Sequence, residues 1–183
     1  MRPFIEKILD VKGDGNCGFR AIAESIGLTE ESHVMERRTL IRDVKDHSSD
    51  YMRIYRGEEH YNCILNGLHP PENGSGITPP DEWLTFPNMG YIVATYYNRV
   101  VVEITSLEIG ISETFYPIRG KPPINPKSHI MCLGLIPNHF VLFFLKMIAT
   151  YLHHLRSRSY TRAKRHRHGN LIFWINMIAS ENS

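Results

Sequence analysis

Cysteine is scarce in this chain of 183 residues, which contains only Cys17, Cys63 and Cys132. No two of them form a Cys-x-x-Cys pair, the spacing typical of structural zinc sites, and an odd, sparse set argues against a disulfide framework. His60 lies three residues before Cys63, but two ligands do not make a metal site. We therefore expect no bound metal. We also expect a reducing intracellular setting, the cytoplasm or the nucleus, where a thiol stays free.

Long apolar segments are missing as well. The N-terminus lacks the apolar core of a secretory signal peptide. The most hydrophobic stretch, Ile130 to Leu152, is interrupted by Pro137, Asn138, His139 and Lys146. It is therefore typical of two buried strands rather than of a membrane span. We expect neither a signal peptide nor contact with a membrane.

Acidic residues are absent from one long region. Of the 19 Asp and Glu residues, 18 lie in the first 113 positions, whereas Thr114 to Ser180 contains none and carries ten Lys and Arg. The net charge of +2 indicates no particular partner, but this asymmetry sets the C-terminal segment apart. We predict one domain over residues 5–147 and a basic extension over residues 148–183.

Three interpretations of the basic extension stay open. It is a patch that binds nucleic acid or directs nuclear import, a solvated extension without fixed structure, or sequence that has replaced a normal domain end. The short apolar stretch from Leu171 to Ala179 has no evident partner. The sequence favours the last two interpretations together over the first.

What is present indicates a globular α/β domain with a helix at its first turn-rich loop. The apolar fraction of 42% and the charged fraction of 22% are those of a soluble domain with a real core. Lys12 to Asn16 is rich in turn residues. Apolar residues then recur at the spacing of one helix face: Phe19, Ile22, Ala23 and Ile26. Gly27 is a natural stop, so Cys17 is predicted to lie in the first turn of a buried helix.

A second helix is predicted after Thr29, a candidate cap. Its inward positions are predicted to be Val34, Ile41 and Val44, and its outward positions Glu36, Arg37, Arg38 and Lys45. Residues 66–82 carry four prolines and three glycines, which predicts a long loop.

The remaining patterns predict one helix and three strands. Met89 to Tyr97 is typical of a helix, and Val100 to Ile104 of a buried strand. Two apolar runs, His129 to Ile136 and His139 to Leu145, are separated only by Pro137 and Asn138, so we expect a tight antiparallel hairpin. His139 then lies where a strand leaves a turn.

These placements suit nucleophilic catalysis by a thiol. A cysteine attacks as the thiolate, which the unpaired N–H groups and macrodipole of a helix N-terminus favour. A nearby imidazole adds to this. The loop from Gly13 to Asn16 offers N–H groups to an oxyanion. A structural cysteine at a helix start and a surface histidine at a strand end are the competing interpretations, and these residue patterns alone leave the two readings about even.

Several sequence blocks resemble the ovarian-tumour (OTU) family of cysteine peptidases. The run Asp14 to Ile22, DGNCGFRAI, is similar to the family signature around the catalytic cysteine. Further blocks follow in the family's order: Glu82 to Leu84, Met89 to Ala94, Val100 to Ile104 and Asn138 to Phe140. The resemblance covers roughly residues 8–146, and the later blocks most resemble OTU domains associated with Mutator-like transposons.

The resemblance implies a papain-like α/β (α+β) fold, a small central sheet flanked by helices. It implies hydrolysis, without metal or organic cofactor, of the bond after the C-terminal glycine of ubiquitin or a ubiquitin-like protein. Cys17 would be the nucleophile and His139 the general base. The residues expected to contact substrate are Gly15, Asn16, Trp83 and Asn138. A buried core tryptophan is the simpler interpretation of Trp83.

Two positions depart from the family pattern. Residue 18 is Gly, where many members carry a larger apolar residue, so we expect looser packing beneath the nucleophile. Many members carry Asp or Asn two residues after the histidine, where this chain has Val141. We therefore predict that Asp14 orients His139, with helix capping as its equally weighted alternative role. The missing downstream acid also favours a second hypothesis, a degenerate OTU fold, such as a transposon relic, that binds ubiquitin without cleaving it.

Overall fold

The computed structural model describes residues 5–71, 77–105, 112–120 and 130–145. It contains five helices and five strands within those ranges. In chain order they are β1 (Ile5–Asp10), α1 (Cys17–Ser25), α2 (His33–Asp46), α3 (Ser48–Tyr55), α4 (Glu58–Leu68), α5 (Gly90–Tyr97), β2 (Val100–Thr105), β3 (Thr114–Phe115), β4 (Ile130–Ile136) and β5 (His139–Leu145). Short 3-10 turns precede α2 (Glu30–Ser32) and α5 (Pro80–Glu82).

The strands form one mixed sheet in the order β1-β5-β4-β2-β3. Strands β2 and β4 are parallel, and the other neighbouring pairs are antiparallel. The register pairs Thr105 with Leu135, Ile136 with His139, and Asp10 with Val141. Consequently β1, β2 and β4 all end, and β5 begins, at the same edge of the sheet. We call this edge the catalytic edge.

The local predictions for this edge are confirmed. Helix α1 begins at Cys17 and gives way at Ile26 to Gly27, whose φ is +86°. Strands β4 and β5 form the predicted hairpin, in which Asn138 takes a left-handed conformation with φ of +56°. Since β1 leads to the catalytic edge and the loop after it leads straight into α1, the nucleophile and the hairpin turn meet there.

The helices pack on one face of the sheet and enclose the main core. Helix α1 lies against β5 and β4, α5 lies against β2 and β3, and α2 joins these helices to α3 and α4. The fully buried side chains of this core include Phe19, Ile22, Leu40, Ile92 and Leu133. The opposite sheet face carries a second apolar cluster drawn from the strands, to which no helix in the described ranges contributes.

Two outward assignments on α2 are wrong. Glu36 and Arg37 are buried, although both were expected to face solvent, while Arg38 and Lys45 are exposed as predicted. The side chains of Glu36 and Arg37 can be buried because both form hydrogen bonds with polar groups from distant parts of the chain. The hydroxyl of Tyr97 donates a hydrogen bond to Glu36, and Arg37 donates to Asn16, to the last turn of α4 and to the 3-10 turn that ends at Glu82. Val34, expected inside, is only half-buried.

The predicted long loop is shorter than its composition indicated. Helix α4 continues to Leu68, and Pro80–Glu82 forms a 3-10 turn. Residues 72–76 lie outside the described ranges, as does the basic extension from residue 148 onwards. Among the helices that are described, none is long and apolar enough to cross a membrane.

Candidate active site

Cys17 is the first residue of α1 and lies against the start of β5. Its side chain is 6% exposed, and its Sγ accepts the backbone N–H of Phe140 at 3.4 Å. Asn16 is the N-cap, but no side chain caps the helix. Because the first N–H groups of a helix have no partner within it, those of Cys17 and Gly18 are directed at whatever occupies the space before the helix.

His139, the first residue of β5, is hydrogen-bonded to Cys17. Its Nε2 lies 2.7 Å from Oδ1 of Asp10, so Nδ1 is the nitrogen left for the thiol. The bond with Cys17 raises the pKa of His139, burial lowers it, and the bond with Asp10 raises it, giving about 9. The imidazole is therefore protonated near neutral pH, and the pair is poised as imidazolium beside a sulfur nucleophile.

Asp14 does not contact His139, which corrects the predicted role. Its carboxylate binds the guanidinium of Arg20 at 2.6 Å and accepts the N–H of Asn16 at 3.0 Å. Burial works against ionisation, yet these two bonds and the charge of Arg20 bring the pKa of Asp14 below its usual value. The competing role, helix capping, does not describe it either, because the N-cap is Asn16. Asp14 instead holds the loop from Gly13 to Asn16, which we call the nucleophile loop, against α1 through Arg20.

Asp10 was missed, and the register of the sheet explains how it reaches the imidazole. It lies directly opposite Val141 in the antiparallel pair of β1 and β5. Paired residues point to the same face, and so do residues two apart on one strand. Asp10, Val141 and His139 therefore share a face, and Asp10 reaches the imidazole from the neighbouring strand. The sequence signal for β1 is weak, because the charged pair Glu6 and Lys7 separates Ile5 from Ile8, and nothing local specifies the partner of this strand.

The nucleophile loop is held by the chain segment around Thr78. The N–H of Thr78 donates to the carbonyl of Asp14 at 2.8 Å, and the Thr78 hydroxyl accepts from Nδ2 of Asn16 at 2.8 Å. Gly15 has φ of +83°, and a Cβ there would lie 2.6 Å from both the carbonyl oxygen of Thr78 and Nε1 of Trp83. Only glycine fits this crossing.

The residues predicted to contact substrate lie in different environments. The Asn16 side chain is buried and fully engaged, and Asp14 occupies its N–H, so Asn16 is not available to substrate. Trp83 is half-buried, and its Nε1 donates to Thr78 at 2.7 Å beside Gly15, so it braces this loop and is not a core tryptophan. Asn138 is exposed in the turn before His139. Substrate contact by Gly15, Trp83 and Asn138 stays a prediction.

Three solved structures of OTU domains share this architecture. The viral OTU domain protease from Dera Ghazi Khan virus superimposes with a TM-score of 0.58 and 12% identity, over 79% of this chain and 83% of that chain. The OTU domain of OTUD1 gives 0.52 and 16% identity, over 75% and 84%. The viral OTU domain protease from Farallon virus gives 0.50 and 19%, over 78% and 85%.

The chain has the OTU-domain fold. It is the papain-like α/β fold expected from the sequence, recognised here through structure. No protein-family model matches the sequence, and a search of curated protein sequences finds no significant match.

Within this OTU fold, Gly18 is closely packed, contrary to the looser packing expected from the sequence. A Cβ at Gly18 would lie 2.5 Å from Cβ of Leu84, whose side chain is buried. Leu84 therefore fills the space that a larger residue 18 would occupy. The two positions are 66 residues apart in the chain, so the sequence pattern around Cys17 does not reveal that Leu84 fills this space.

The other cysteines lie away from this arrangement. Cys63 is exposed on α4, and Cys132 is buried in β4, where burial raises the pKa of its thiol to about 12. Across the described ranges no group of three or more His, Cys, Asp or Glu residues is placed to hold a metal ion.

Proposed function

We propose that this protein is an OTU-type cysteine peptidase that hydrolyses the bond after the C-terminal glycine of ubiquitin or a ubiquitin-like protein. The observation that carries the proposal is the linked set of Cys17, His139 and Asp10 at the catalytic edge of an OTU fold. Two of the solved structures that share this fold are described as OTU domain proteases. The sequence signature around Cys17 adds support that is independent of the superposition.

The acylation step follows from the proton on His139. The Cys17 thiolate attacks the carbonyl carbon of the terminal glycine, and the carbonyl oxygen becomes an oxyanion. Collapse of this intermediate breaks the C–N bond, the nitrogen takes the proton from Nδ1 of His139, and the amine leaves. The products are a thioester on Cys17 and a neutral imidazole. Asp10 holds the ring through Nε2 during this step.

In deacylation His139 accepts a proton, whereas in acylation it donated one. Water attacks the thioester carbonyl while neutral His139 takes a proton from it. The C–S bond then breaks, restoring the thiolate beside the imidazolium, and the modifier leaves as a carboxylic acid that loses its proton to solvent. The N–H groups of Cys17 and Gly18, at the N-terminus of α1, are the candidate donors to the oxyanion in both steps.

The contacts of His139 weaken the case for a degenerate OTU fold. That hypothesis was motivated by Val141, which cannot orient an imidazole. Asp10 provides a carboxylate on the same sheet face and at 2.7 Å from Nε2, so the imidazole has an orienting partner without an acid at position 141. A protein that bound ubiquitin with normal folding and no turnover would revive the degenerate hypothesis.

The experiment that tests the function measures release of a fluorophore from the C-terminus of ubiquitin. Wild type should release it, and Cys17→Ala and His139→Ala should not. Cys63→Ala is the matched control, because Cys63 is exposed on α4, a helix that packs mainly on α2 and α3. Hydrolysis that survived in Cys17→Ala would refute the assignment.

Finer assignments remain our proposals. The resemblance to transposon-associated OTU domains rests on the sequence blocks around residues 82–94 and 138–140. The domain limits of 5–147 and the intracellular setting rest on composition. Truncation after residue 148 should preserve hydrolysis, and loss of salt-dependent DNA binding in the same truncated protein would assign nucleic-acid binding to the extension.

A further inference from the structure

Arg37 on α2 is a charged side chain buried completely beneath the nucleophile loop. Its exposed fraction is 0%, and its guanidinium lies 3.9 Å from the centre of the Phe19 ring. Its Nε and Nη2 both donate to Oδ1 of Asn16, at 3.1 and 2.9 Å. Arg37 thus forms two hydrogen bonds with the side chain of the residue that immediately precedes the nucleophile.

The same guanidinium also binds both ends of the segment that crosses the nucleophile loop. Its Nη1 donates to the carbonyls of Gly67 and His69, at 3.1 and 3.3 Å, and its Nη2 donates to the carbonyl of Glu82 at 2.7 Å. The middle of that segment, at Thr78, is bonded to Asp14 and Asn16. One buried cation therefore ties three stretches of chain together.

This arrangement is expensive for a purely structural role. Burial lowers the pKa of Arg37 to about 10, although the nearby charges of Glu82 and Asp14 act in the opposite direction, and its hydrogen bonds all go to neutral oxygens. None of the ion pairs found in the described ranges includes it. A well-packed apolar side chain often stabilises a core as well as a buried charge does. The guanidinium has what an apolar residue lacks, which is several directional donors.

We propose that Arg37 is a positioning residue that fixes the backbone at Asn16 and Cys17, and with it the N–H groups that receive the oxyanion. This inference rests on the proposed function. The Asn16 amide is locked at both ends, since Oδ1 accepts from Arg37 and Nδ2 donates to Thr78. Displacement of the Asn16 backbone would pull its side chain away from both partners, and the Asn16 carbonyl is itself held by the N–H of Arg20 at 2.9 Å.

The proposal predicts different effects on two reactions of the Cys17 sulfur, acylation and alkylation. Attack on a carbonyl generates an oxyanion and needs the N–H groups in place, whereas alkylation by iodoacetamide displaces iodide and forms no oxyanion. Arg37 does not touch the sulfur in this structure. Loss of its grip should therefore slow acylation of Cys17 far more than alkylation, because a misplaced oxyanion donor costs about tenfold to a hundredfold in rate.

The test compares these two rates in Arg37→Lys, Arg37→Met and the control Arg38→Met, whose side chain is exposed one position further along α2. Acylation is followed as the burst from p-nitrophenyl acetate, and alkylation by intact mass. We expect both Arg37 variants to lose at least tenfold in acylation, with alkylation within about twofold of wild type and with the control unchanged. With the ubiquitin amide, kcat should fall while KM changes little. Equal losses in both reactions, or no loss in either, would overturn the proposal.

Asn16→Ala guards against variants that fail to fold. It removes the same bond from the other side, so it should show the same selective loss, and adding Arg37→Lys to it should cost little more. Independent, additive losses would also contradict the proposal. Because neither small reagent requires ubiquitin, a wild type that reacts with both yet ignores ubiquitin would refute the proposed substrate and still allow the Arg37 comparison.

Discussion

Asp10→Ala should slow hydrolysis without abolishing it. The change removes the carboxylate that lies 2.7 Å from Nε2 of His139, while leaving Cys17 and the helix beneath it untouched. The imidazole then keeps its bond to the thiol but can rotate, and its unheld nitrogen turns to water. A ring that points correctly only part of the time transfers its proton less often.

The size of the loss follows from how exposed Asp10 is. A hydrogen bond to a charged group is worth about 1.5 to 3 kcal/mol when it is shielded from water. The side chain of Asp10 is 79% exposed and that of His139 is 19% exposed. Solvent therefore competes for the carboxylate, and exposed ion pairs contribute only about 0 to 1 kcal/mol. We expect a value near 1 kcal/mol, which corresponds to roughly a fivefold to tenfold fall in kcat/KM.

A second substitution separates this account from a general disturbance of β1. Val141 lies opposite Asp10 and on the same face as His139, so an acceptor placed at residue 141 can take over. In the Asp10→Ala background, Val141→Asn should recover part of the lost rate, whereas in wild type it should bring no gain. Asn is the better choice than Asp, because Val141 is buried among apolar side chains.

The assay is release of a fluorophore from the ubiquitin C-terminus at pH 7.5, with thermal unfolding measured on each variant. Asp14→Ala is a useful comparison. It should lower the melting temperature, because it removes the carboxylate that pairs with the buried Arg20 guanidinium. Wild-type kcat/KM in Asp10→Ala, with folding unchanged, would refute the reasoning and return the orienting role to another group.

Three further predictions concern pH and packing. The kcat/KM should fall as the pH rises through about 9, because His139 then loses the proton that the leaving amine needs, and Asp10→Asn should move this fall to lower pH. Gly18→Ala should destabilise the fold by about 1 to 3 kcal/mol, and Leu84→Ala should relieve part of that cost, so that urea denaturation shows a non-additive double mutant. Burial raises the pKa of Glu103 to about 7, so its contribution to stability is complete below the unfolded value near 4.5 and is lost as the pH rises through 7. Glu103→Gln should therefore gain on the order of 1 to 3 kcal/mol relative to wild type at pH 8 and little at pH 4.5.

The parts of the site that come from local sequence were predictable. The apolar period after Cys17 and the glycine after it define α1, and two apolar runs around Pro137 define the hairpin that presents His139. In each case the signal and the structure lie within about ten residues. The positions of Cys17 and His139 were therefore predictable from local patterns, whereas their roles as nucleophile and base came from the resemblance to the OTU family.

The acid could not be found in the same way, because it depends on which strands pair. Asp14 was chosen for its closeness to Cys17 in the chain, but Arg20, six residues later, claims its carboxylate. Asp10 reaches His139 across 129 positions of sequence, through the pairing of β1 with β5. No periodicity encodes that pairing.

The charged residues of α2 show a second limit of pattern reading. Helical periodicity assigns Arg37 to the outer face because charge normally seeks water. It is buried because backbone carbonyls from the end of α4 and from the 3-10 turn at Glu82, together with the amide of Asn16, converge on it. Such partners become visible only when the chain is folded.

The central claim is that Cys17 is the nucleophile for the C-terminus of ubiquitin. The most direct measurement is reaction with ubiquitin that carries a C-terminal electrophile, with the modified residue located by peptide mass spectrometry. We predict a single adduct on Cys17, lost in Cys17→Ala and retained in Cys63→Ala and Cys132→Ala. A folded protein that forms no adduct, or one that carries the adduct on Cys63, would contradict the claim.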